Sequence, residues 1–272
     1  MRRAILLYVR GDGGREAEVA RAMRALRAAA RRLGLTVLVH PEKGGPVGMV
    51  IAVGGDGTFL DASHRALELD VPIAGVNAGS LGFLTEITPD DPGEMERILG
   101  GDPLVQPRIA LDVLVSRGRR RLFSGRAVNE VLVMRRVEAP MLDLVIRYAG
   151  MSLPHYKADG VLVATPTGST AYNLSLSGPI LFPTERSMVL NALAPHALTN
   201  RPLVLPSASP IEITLDRGDA ATLSVDGGEP AAIETGDRIE VRESDRMLKF
   251  VPNSRRSYFD VLARKLNFGR RD

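Results

Sequence analysis

The chain has 272 residues, 44% hydrophobic and 25% charged, and 35 basic against 32 acidic residues leave a formal net charge of +3. This is the balance of an ordinary globular protein, and the small excess gives no indication of nucleic-acid binding, although it suits an anionic small ligand. The absence of cysteine excludes a disulfide scaffold, a thiol nucleophile and cysteine-based metal sites.

No stretch approaches the ~18 consecutive apolar residues that a membrane-spanning helix needs. The apolar run near the start of the chain ends at Arg10, which is too soon for the apolar core of a signal peptide. We therefore expect a soluble, cytoplasmic protein that contacts neither membrane nor nucleic acid.

The first ~100 residues alternate between strand and helix patterns, which predicts an α/β domain. A glycine-rich turn is expected at residues 11–14, and residue 34 is a helix-ending glycine. Strands are predicted at residues 4–9, 35–39, 47–53 and 71–76, and helices at residues 15–33, 58–69 and 90–99.

After about residue 104 the segments become short, rich in branched apolar residues and divided by Gly, Pro and Asp. This texture predicts a second domain of mostly antiparallel β structure. Its strands are predicted at residues 109–115, 127–134, 142–148, 203–205, 211–215, 222–225, 238–242 and 247–251, followed by a helix at residues 258–266.

The first candidate site is the turn of residues 54–58, where a buried strand passes into a helix. Glycines there allow a phosphate to approach the backbone, and the free N–H groups of a helix start favour an anion. One reading makes Asp56 a simple N-cap, and the other gives it chemistry beside a phosphate. The turn consists of Gly54, Gly55, Asp56, Gly57 and Thr58.

A second stretch, NAGSLGFL at residues 77–84, follows the next strand and should lie near the first turn. Its small residues suit close packing against a ligand or against that turn. Asn77 and Phe83 are the candidate ligand contacts. The alternative is a tight turn that places Phe83 and Leu84 in the core.

Two further stretches carry polar groups that could orient an oxygen-rich ligand. Asn129 and Glu130 interrupt an apolar strand, where either a ribose diol or a strand-end position facing water would satisfy them. The run TPTGSTAYNLSLS at residues 165–177 offers hydroxyls and an aromatic ring, Tyr172, that could stack on a base; a hydroxyl-rich surface loop is the alternative.

The four histidines, His40, His64, His155 and His196, form no HxH or HxxH pair, so a zinc site is not expected. We predict no metal ligands from protein side chains.

Four stretches of the chain, taken in order, resemble the signature of the NAD kinase family, and the resemblance covers nearly the whole chain. They are GGDGT at 54–58, NAGSLGFL at 77–84, NE at 129–130 and KADG…TPTGSTAYNLS at 157–175. The glycine–aspartate turn alone also occurs in diacylglycerol kinases and phosphofructokinases, and TPTGSTAY makes the resemblance specific.

The resemblance implies a Rossmann-like α/β domain at residues 1–104, a β-rich domain at residues 105–251 that carries most of the NAD site, and a tail at residues 252–272 that returns to the first domain. It implies transfer of the γ-phosphoryl group of ATP to the 2′-hydroxyl of the adenosine ribose of NAD, with a divalent cation such as Mg²⁺. Family members form homodimers or homotetramers. Whether polyphosphate replaces ATP, and whether NADH is accepted, stays open.

By the same resemblance, Asp56 accepts the proton of the ribose hydroxyl and the glycine turn binds phosphates. Asn129 and Glu130 contact the ribose and neighbouring groups. The dinucleotide site is lined by Lys157, Asp159, Thr170, Ala171, Tyr172, Asn173, Leu174 and Ser175. Two positions depart from many relatives: Pro140 stands for a basic residue or histidine, and Gly228 for a glutamine.

Three rival readings remain at this stage. A lipid or sugar kinase would share the glycine–aspartate turn but phosphorylate another hydroxyl. A dinucleotide sensor would bind without turnover, although a carboxylate near phosphates adds little to binding alone. A Rossmann dehydrogenase would carry GxGxxG with a following acidic residue, and that pattern is absent.

Overall fold

The computed structural model describes residues 4–9, 15–39, 46–79, 81–101, 103–217 and 221–267. The turn predicted at residues 11–14 lies outside the described residues, as do His40 and Ser80. The chain forms two compact units, one made of Met1–Pro107 with Leu248–Asp272 and the other of Arg108–Met247.

The N-terminal part of the first unit alternates strands and helices, as expected for an α/β domain. In chain order the elements are β1 (Ala4–Val9), α1 (Glu16–Arg32), β2 (Thr36–Leu38), β3 (Val47–Gly54), α2 (Asp56–Leu69), β4 (Ile73–Asn77), α3 (Pro92–Leu99) and β5 (Gln106–Arg108). Strands β1 to β4 pair in parallel, in the order β2-β1-β3-β4.

In its described residues, the second unit consists mostly of antiparallel strands, with a 3₁₀ turn at Gly168–Thr170 and one short α-helix. Its elements are β6 (Leu111–Arg117), β7 (Arg120–Ala127), β8 (Glu130–Arg135), β9 (Leu142–Tyr148), β10 (Met151–Ser152), β11 (Tyr156–Ala158), β12 (Gly160–Ala164), α4 (Tyr172–Ser175), β13 (Ser187–Leu193), β14 (Leu203–Pro206), β15 (Ile211–Arg217), β16 (Ala221–Val225), β17 (Ala231–Ile233) and β18 (Arg238–Glu243).

The chain then returns to the first unit with β19 (Leu248–Phe250) and α5 (Tyr258–Leu266). Strand β19 pairs in parallel with β4, so the first sheet runs β2-β1-β3-β4-β19-β5. The sequence places residues 247–251 in the β-rich half, whereas the structure adds this short strand to the α/β sheet. Its apolar side chains explain the pairing, because Phe250 is buried against Phe59 of α2 with ring centroids 5.6 Å apart.

Two sheets form the second unit. One has six strands, in the order β14-β13-β12-β8-β16-β17; the other has seven, in the order β10-β9-β15-β18-β6-β7 with β11 also paired to β9. A core of buried Val, Leu and Ile side chains includes residues from strands of both sheets. The predicted fold class, an α/β domain followed by a mostly antiparallel β domain, is therefore confirmed. Strands β12 and β13 were not predicted; their runs are buried almost throughout and lack the alternation of half-buried strands.

One predicted strand is wrong in a way that bears on function. Residues 127–134 do not form a continuous strand, because β7 ends at Ala127 and β8 begins at Glu130. The carboxylate of Asp226 accepts hydrogen bonds from the N–H groups of Val128, Asn129 and Glu130, at 2.7, 2.8 and 3.0 Å. The strand breaks because these N–H groups point to a side chain.

A buried polar network attaches the returning segment to α3. The Glu94 carboxylate is 1% exposed and accepts hydrogen bonds from the N–H and the hydroxyl of Ser254, both at 2.7 Å. Arg97 donates to Glu94 and also to the carbonyl of Pro252, again at 2.7 Å. The network therefore fixes the chain just after β19. No helix among the described residues is long and apolar enough to cross a membrane.

Candidate active site

The glycine turn lies at the carboxyl end of β3, as predicted, but α2 begins two residues earlier than expected. Gly55 is the N-cap, and Asp56 is the first residue of the helix. No side chain caps this helix end by a hydrogen bond. The reading of Asp56 as an N-cap is therefore wrong, and its carboxylate has other partners.

The three glycines of the turn differ in the space that a side chain would have at each position. A Cβ atom on Gly54, whose φ is +156°, would lie 2.4 Å from Oγ1 of Thr58. A Cβ atom on Gly55 or Gly57 would meet nothing within 4 Å. Packing explains Gly54 alone, so the other two leave open backbone that a ligand could approach.

A cavity of about 210 Å³ lies over this open backbone. Its walls are formed by Gly54, Gly55, Gly57 and Thr58 of the turn and by Arg15, Val19 and Ala78. The cavity thus combines the N–H groups of a helix start with one cationic side chain, which is an environment that favours a phosphate group.

The carboxylate of Asp56 is held by the loop that follows β4. Its Oδ2 atom accepts a hydrogen bond from the N–H of Phe83 at 2.8 Å. Its Oδ1 atom accepts three, from the N–H groups of Leu84 and Thr85 at 3.0 and 3.1 Å and from the Thr85 hydroxyl at 3.1 Å. The two candidate stretches of the first unit are therefore joined through Asp56.

Two glycines make this approach possible. A Cβ atom on Gly82 would lie 2.0 Å from Oδ1 of Asp56, and one on Gly75 would lie 2.4 Å from the carbonyl oxygen of Leu84. Leu84 is buried, whereas Phe83 is half-buried, with Nζ of Lys265 at 5.9 Å from its ring centroid. The stretch is thus packed around the carboxylate, and the ring of Phe83 keeps an accessible surface.

Asn77 lies at the end of β4, in register with Gly54 of β3. The side chain is 3% exposed, and its Nδ2 atom donates to the Thr85 hydroxyl at 3.2 Å. In this arrangement Asn77 supports the loop around Asp56, and its role as a ligand contact stays a prediction.

In the second unit, the loop after β12 packs directly on Asn129. The N–H of Thr165 donates to the carbonyl of Asn129 at 2.8 Å. A Cβ atom on Gly168 would lie 2.2 Å from the same carbonyl oxygen. The NE and TPTGST stretches, which are about 40 residues apart in the sequence, therefore form one local surface.

Three buried polar atoms on this surface have no hydrogen-bond partner among the described residues: Asn129 Oδ1, Glu130 Oε2 and Thr167 Oγ1. Buried polar groups in proteins are nearly always paired, so such a cluster indicates a place where a bound ligand supplies the partners. Thr167 is 6% exposed and belongs to the hydroxyl-rich run of residues 165–177 that the sequence singled out.

Burial raises the pKa of the Glu130 carboxyl to about 7, and the neighbouring Asp226 carboxylate adds to the shift. A carboxyl group with a raised pKa is protonated more readily in the folded than in the unfolded chain. Its stabilising contribution is therefore complete below the ordinary value of 4.5 and is lost as the pH rises through about 7.

We predict that this loss can be measured by comparison with Glu130→Gln. The free energy of unfolding of the wild type should fall relative to that of the variant by roughly 2 kcal/mol between pH 5 and pH 9. Chemical denaturation across this range gives the difference. Glu229→Gln, at an exposed position just after the turn that follows β16, is the matched control.

The predicted residues 170–175 fall on the short turn after the TPTG sequence and on α4. Tyr172 and Ser175 are exposed, and Thr170, Ala171 and Leu174 are half-buried. Asn173 differs, because it is fully buried: its Nδ2 atom donates to the carbonyls of Ser169 and Pro179, and its Oδ1 atom accepts from Asn191. Asn173 therefore braces the loop, and its neighbours remain available to a ligand.

Lys157 and Asp159 are not brought together with Asn129 and Glu130. They precede β12, whereas Glu130 is in register with Ala164 at the far end of that strand, roughly 13 Å away. Asp159 pairs with Arg135, whose Nε atom lies 2.6 Å from Oδ1. A ligand that touches both groups must extend along β12.

The two positions that depart from many relatives are both exposed. Pro140 lies between β8 and β9, and Gly228 lies just after the turn formed by Asp226 and Gly227. Neither is part of the buried polar cluster. Asp226 was missed in the sequence, although the pattern of an acidic residue with two glycines directly after an apolar strand could have drawn attention to it.

Among the described residues, no three His, Asp or Glu side chains lie close enough together to hold a metal ion. Any divalent cation would need most of its ligands from water or phosphate oxygens, which is how Mg²⁺ is usually bound at nucleotide sites. Oδ2 of Asp56, with one hydrogen bond, is the carboxylate oxygen at the turn that retains capacity to accept another.

Comparison with known protein families gives two successive matches, which leave residues 102–127 between them. The model of the ATP-NAD kinase N-terminal domain matches residues 7–101, and that of the ATP-NAD kinase C-terminal domain matches residues 128–253. Together they include the glycine turn, the loop around Asp56, and the NE and TPTGST stretches.

Curated relatives cover most of the chain. The NAD kinase of Geobacter sulfurreducens is 39% identical over 225 residues, which are 82% of this chain and 79% of that protein. The NAD kinase of Syntrophobacter fumaroxidans is 40% identical over 223 residues, 81% of this chain and 79% of that protein.

Two solved structures are similar. A yeast NADH kinase complexed with NADH shares the fold with a TM-score of 0.86 at 22% identity, covering 100% of this chain and 89% of the other. An NAD kinase from Archaeoglobus fulgidus in complex with ATP has a TM-score of 0.74 at 26% identity, covering 98% of this chain and 99% of the other.

Proposed function

Because the chain belongs to the ATP-NAD kinase family, we propose that it is an NAD kinase: it transfers the γ-phosphoryl group of ATP to the 2′-hydroxyl of the adenosine ribose of NAD, giving NADP and ADP. The observation that carries this proposal is the carboxylate of Asp56. It lies at a glycine turn with open backbone, and it is oriented by four hydrogen bonds that leave Oδ2 able to accept another.

The phosphates of the donor occupy the cavity over the glycine turn in this proposal. The N–H groups at the start of α2 and the Arg15 guanidinium, both on its wall, supply the positive potential that a triphosphate needs. A divalent cation, Mg²⁺ in our proposal, would be held mainly by phosphate oxygens and water and would neutralise part of their charge.

Asp56 acts on the acceptor hydroxyl. A bond forms between the 2′-oxygen and the γ-phosphorus, and the bond from that phosphorus to the β–γ bridging oxygen breaks, its electron pair leaving with ADP. The hydroxyl proton passes to Oδ2 of Asp56 and then to solvent. Because a carboxylate is a far weaker base than an alkoxide, we expect the proton to move late, as bond formation proceeds.

The dinucleotide is bound by the second unit in this proposal. Asn129 Oδ1, Glu130 Oε2 and Thr167 Oγ1 gain partners from ribose hydroxyls or the adenine amino group, and Tyr172 is exposed enough to stack on a ring. Thr170, Ala171, Leu174 and Ser175 line the same loop. Lys157 and Asp159 contribute only to a ligand that extends along β12.

The direct test is the formation of NADP by the purified protein with NAD, ATP and Mg²⁺, followed by a dehydrogenase that is specific for NADP. Parallel assays with diacylglycerol and with fructose 6-phosphate as acceptors test the two kinase rivals. We expect turnover with NAD alone. Tight binding of NADP without product formation would instead identify a sensor, and transfer to either other acceptor would replace the proposed activity.

Substitution of Gly57 separates a phosphate-binding role from a structural one. Gly57→Ala places a methyl group in open space within a helix, where alanine is favoured over glycine by about 1 kcal/mol. We expect an unchanged or higher melting temperature with a loss of kcat/KM for ATP of at least roughly tenfold, because the methyl group would keep the phosphates from the backbone. Full activity in a folded variant would remove the turn from the donor site.

Two properties remain proposals that follow from the family and the sequence: a cytoplasmic location and assembly into homodimers or homotetramers. Light scattering of the purified protein measures the assembly, and parallel assays with ATP and polyphosphate determine the range of donors.

A further inference from the structure

We propose that Thr85 is a positioning residue for the phosphoryl transfer, through a hydroxyl group that orients the carboxylate of Asp56. This inference rests on the function proposed above. Thr85 was not among the predicted site residues. It is fully buried and its side chain does not line the cavity over the glycine turn, so it would act through Asp56 and not on a substrate.

The two carboxylate oxygens of Asp56 accept different numbers of hydrogen bonds, and Thr85 is responsible for the difference. Two of the three donors to Oδ1 come from this one residue, its N–H and its hydroxyl, both at 3.1 Å. Oδ2 receives a single hydrogen bond, from the N–H of Phe83. A carboxylate oxygen offers about two lone-pair sites, so Oδ1 is saturated and Oδ2 can still accept a substrate hydroxyl.

The direction of the Thr85 hydroxyl is set by a second residue. The Nδ2 atom of Asn77 is a donor only and lies 3.2 Å from Oγ1 of Thr85. The hydroxyl must therefore accept from Asn77, and its single proton is left to be donated to Oδ1 of Asp56. In the resulting series of hydrogen bonds, Asn77 donates to Thr85 and Thr85 donates to Asp56.

The backbone of Thr85 is held in place from both sides. Gly75 of β4 lies so close that a Cβ atom on it would be 2.8 Å from Cα of Thr85. The next residue, Glu86, is 5% exposed and is hydrogen-bonded to the returning C-terminal segment. Its Oε2 atom accepts from the N–H of Asn253 at 2.9 Å, and its carbonyl accepts from Asn253 Nδ2 at 3.2 Å.

Without these hydrogen bonds, the Asp56 side chain could adopt other rotamers. As the first residue of α2, it stands beside the free N–H groups of its own helix, and short acidic side chains at helix starts readily accept from them. The donors of residues 83–85 draw the carboxylate away from that alternative. Loss of the Thr85 hydroxyl should therefore reduce the fraction of molecules in which Oδ2 is correctly placed.

The experiment compares Thr85→Val, which keeps the branched shape but lacks the hydroxyl, with Thr85→Ser, which keeps the hydroxyl. We expect Thr85→Val to lower kcat roughly 5- to 30-fold, the loss of about one hydrogen bond, with the KM values for NAD and ATP within twofold of the wild type. Thr85→Ser should recover most of kcat. A purely structural role would not separate kcat from KM or distinguish the two variants in this way.

Thr88→Val is the matched control, since Thr88 lies three residues further along and its hydroxyl has no hydrogen-bond partner in the described part of the chain. It should retain wild-type kcat. Because the valine methyl could crowd Oδ1 of Asp56, Thr85→Ala is the second variant and should show the same loss of kcat. Melting temperatures are measured for every variant, to establish that it is folded at the assay temperature.

The outcomes are distinct. Wild-type protein that makes no NADP would remove the proposed function itself. Active wild type with Thr85→Ala within twofold of its kcat would overturn the positioning role alone, as would an equal loss of kcat in Thr85→Ser. Loss in Thr85→Val and Thr85→Ala with recovery in Thr85→Ser supports the inference.

Discussion

Replacement of Asp56 by asparagine is expected to lower kcat for NADP formation by a factor on the order of 10²–10⁴ while the protein stays folded. Asparagine has nearly the same shape as aspartate, so it fits beside Gly82 and at the start of α2. It cannot take up the hydroxyl proton. The loss should fall on kcat, measured as NADP formed at saturating NAD and ATP.

The same substitution has a smaller, separate effect on stability. The amide oxygen can replace Oδ1 and keep its three donors, but the amide nitrogen then faces the N–H of Phe83, which is also a donor. We expect a loss of about 1–2 kcal/mol in the free energy of unfolding. Glu68→Gln, at the exposed far end of the same helix, is the control and should be fully active. Near-normal turnover of Asp56→Asn would reduce Asp56 to an anchor for residues 83–85.

Glu94→Gln is expected to have the largest effect on stability, a loss of about 3 kcal/mol in the free energy of unfolding of the wild type. Glu94 is 1% exposed and joins α3 to the returning chain through Arg97 and Ser254. Removal of the charge takes the carboxylate partner from Arg97, whose side chain is 28% exposed, and weakens the hydrogen bonds that the buried Glu94 accepts from Ser254. For a chain of this length we expect the melting temperature to fall by roughly 5–10 °C.

The pH dependence of this effect has a definite sign. Burial alone would raise the pKa of Glu94, but hydrogen bonds from Arg97 and Ser254 outweigh it and hold the pKa below its ordinary value of 4.5. The contribution of the charged carboxylate is therefore present above pH 4.5 and is lost as the pH falls through the lowered value. The difference between wild type and variant should shrink in acid.

Glu96→Gln provides the matched control on the same helix. Glu96 pairs with Arg32 at the surface, where the two side chains are 44% and 54% exposed, and exposed pairs contribute little. It should change the free energy of unfolding by less than about 0.5 kcal/mol. An equal loss in both variants would mean that the helix surface, and not the buried network, determines stability here.

The candidate sites of the two units have one feature in common: in each, an aspartate accepts hydrogen bonds from consecutive backbone N–H groups of a loop. In the first unit, Asp56 accepts the N–H groups of residues 83–85. In the second, Asp226 accepts those of residues 128–130. Each aspartate fixes the conformation of its loop, because backbone N–H groups that donate to a carboxylate do not donate to a neighbouring strand. Asp56 keeps one oxygen, Oδ2, that can accept a further hydrogen bond. Asp226 adds to the rise in the pKa of Glu130 that burial mainly causes.

Much of the fold could be predicted because it depends on local pattern. Strands β1 to β4 and the helices α1, α3 and α5 follow from apolar periodicity over short windows, within a few residues at each end, whereas β5 was not predicted and β19 was assigned to the β-rich half. The glycine turn was predicted as a candidate site because unusual residues stand where a strand ends, and the TPTGST loop because its hydroxyls and few charges suit a polar ligand. The prediction of residues 127–134 as one strand failed because the cause of the break, Asp226, lies about a hundred residues further along.

The amino-acid sequence by itself determined the two kinds of layer, the family, and the residue types on which the chemistry depends, because each is encoded in short windows of periodicity or in consecutive residues. Only the tertiary structure decided which groups donate to the Asp56 carboxylate, which of its oxygens can accept another hydrogen bond, and that Asn253 holds Glu86, the residue after Thr85. Hydrogen bonds between residues that are distant in sequence depend on how the strands are ordered and how closely their backbones approach. No local pattern specifies either quantity.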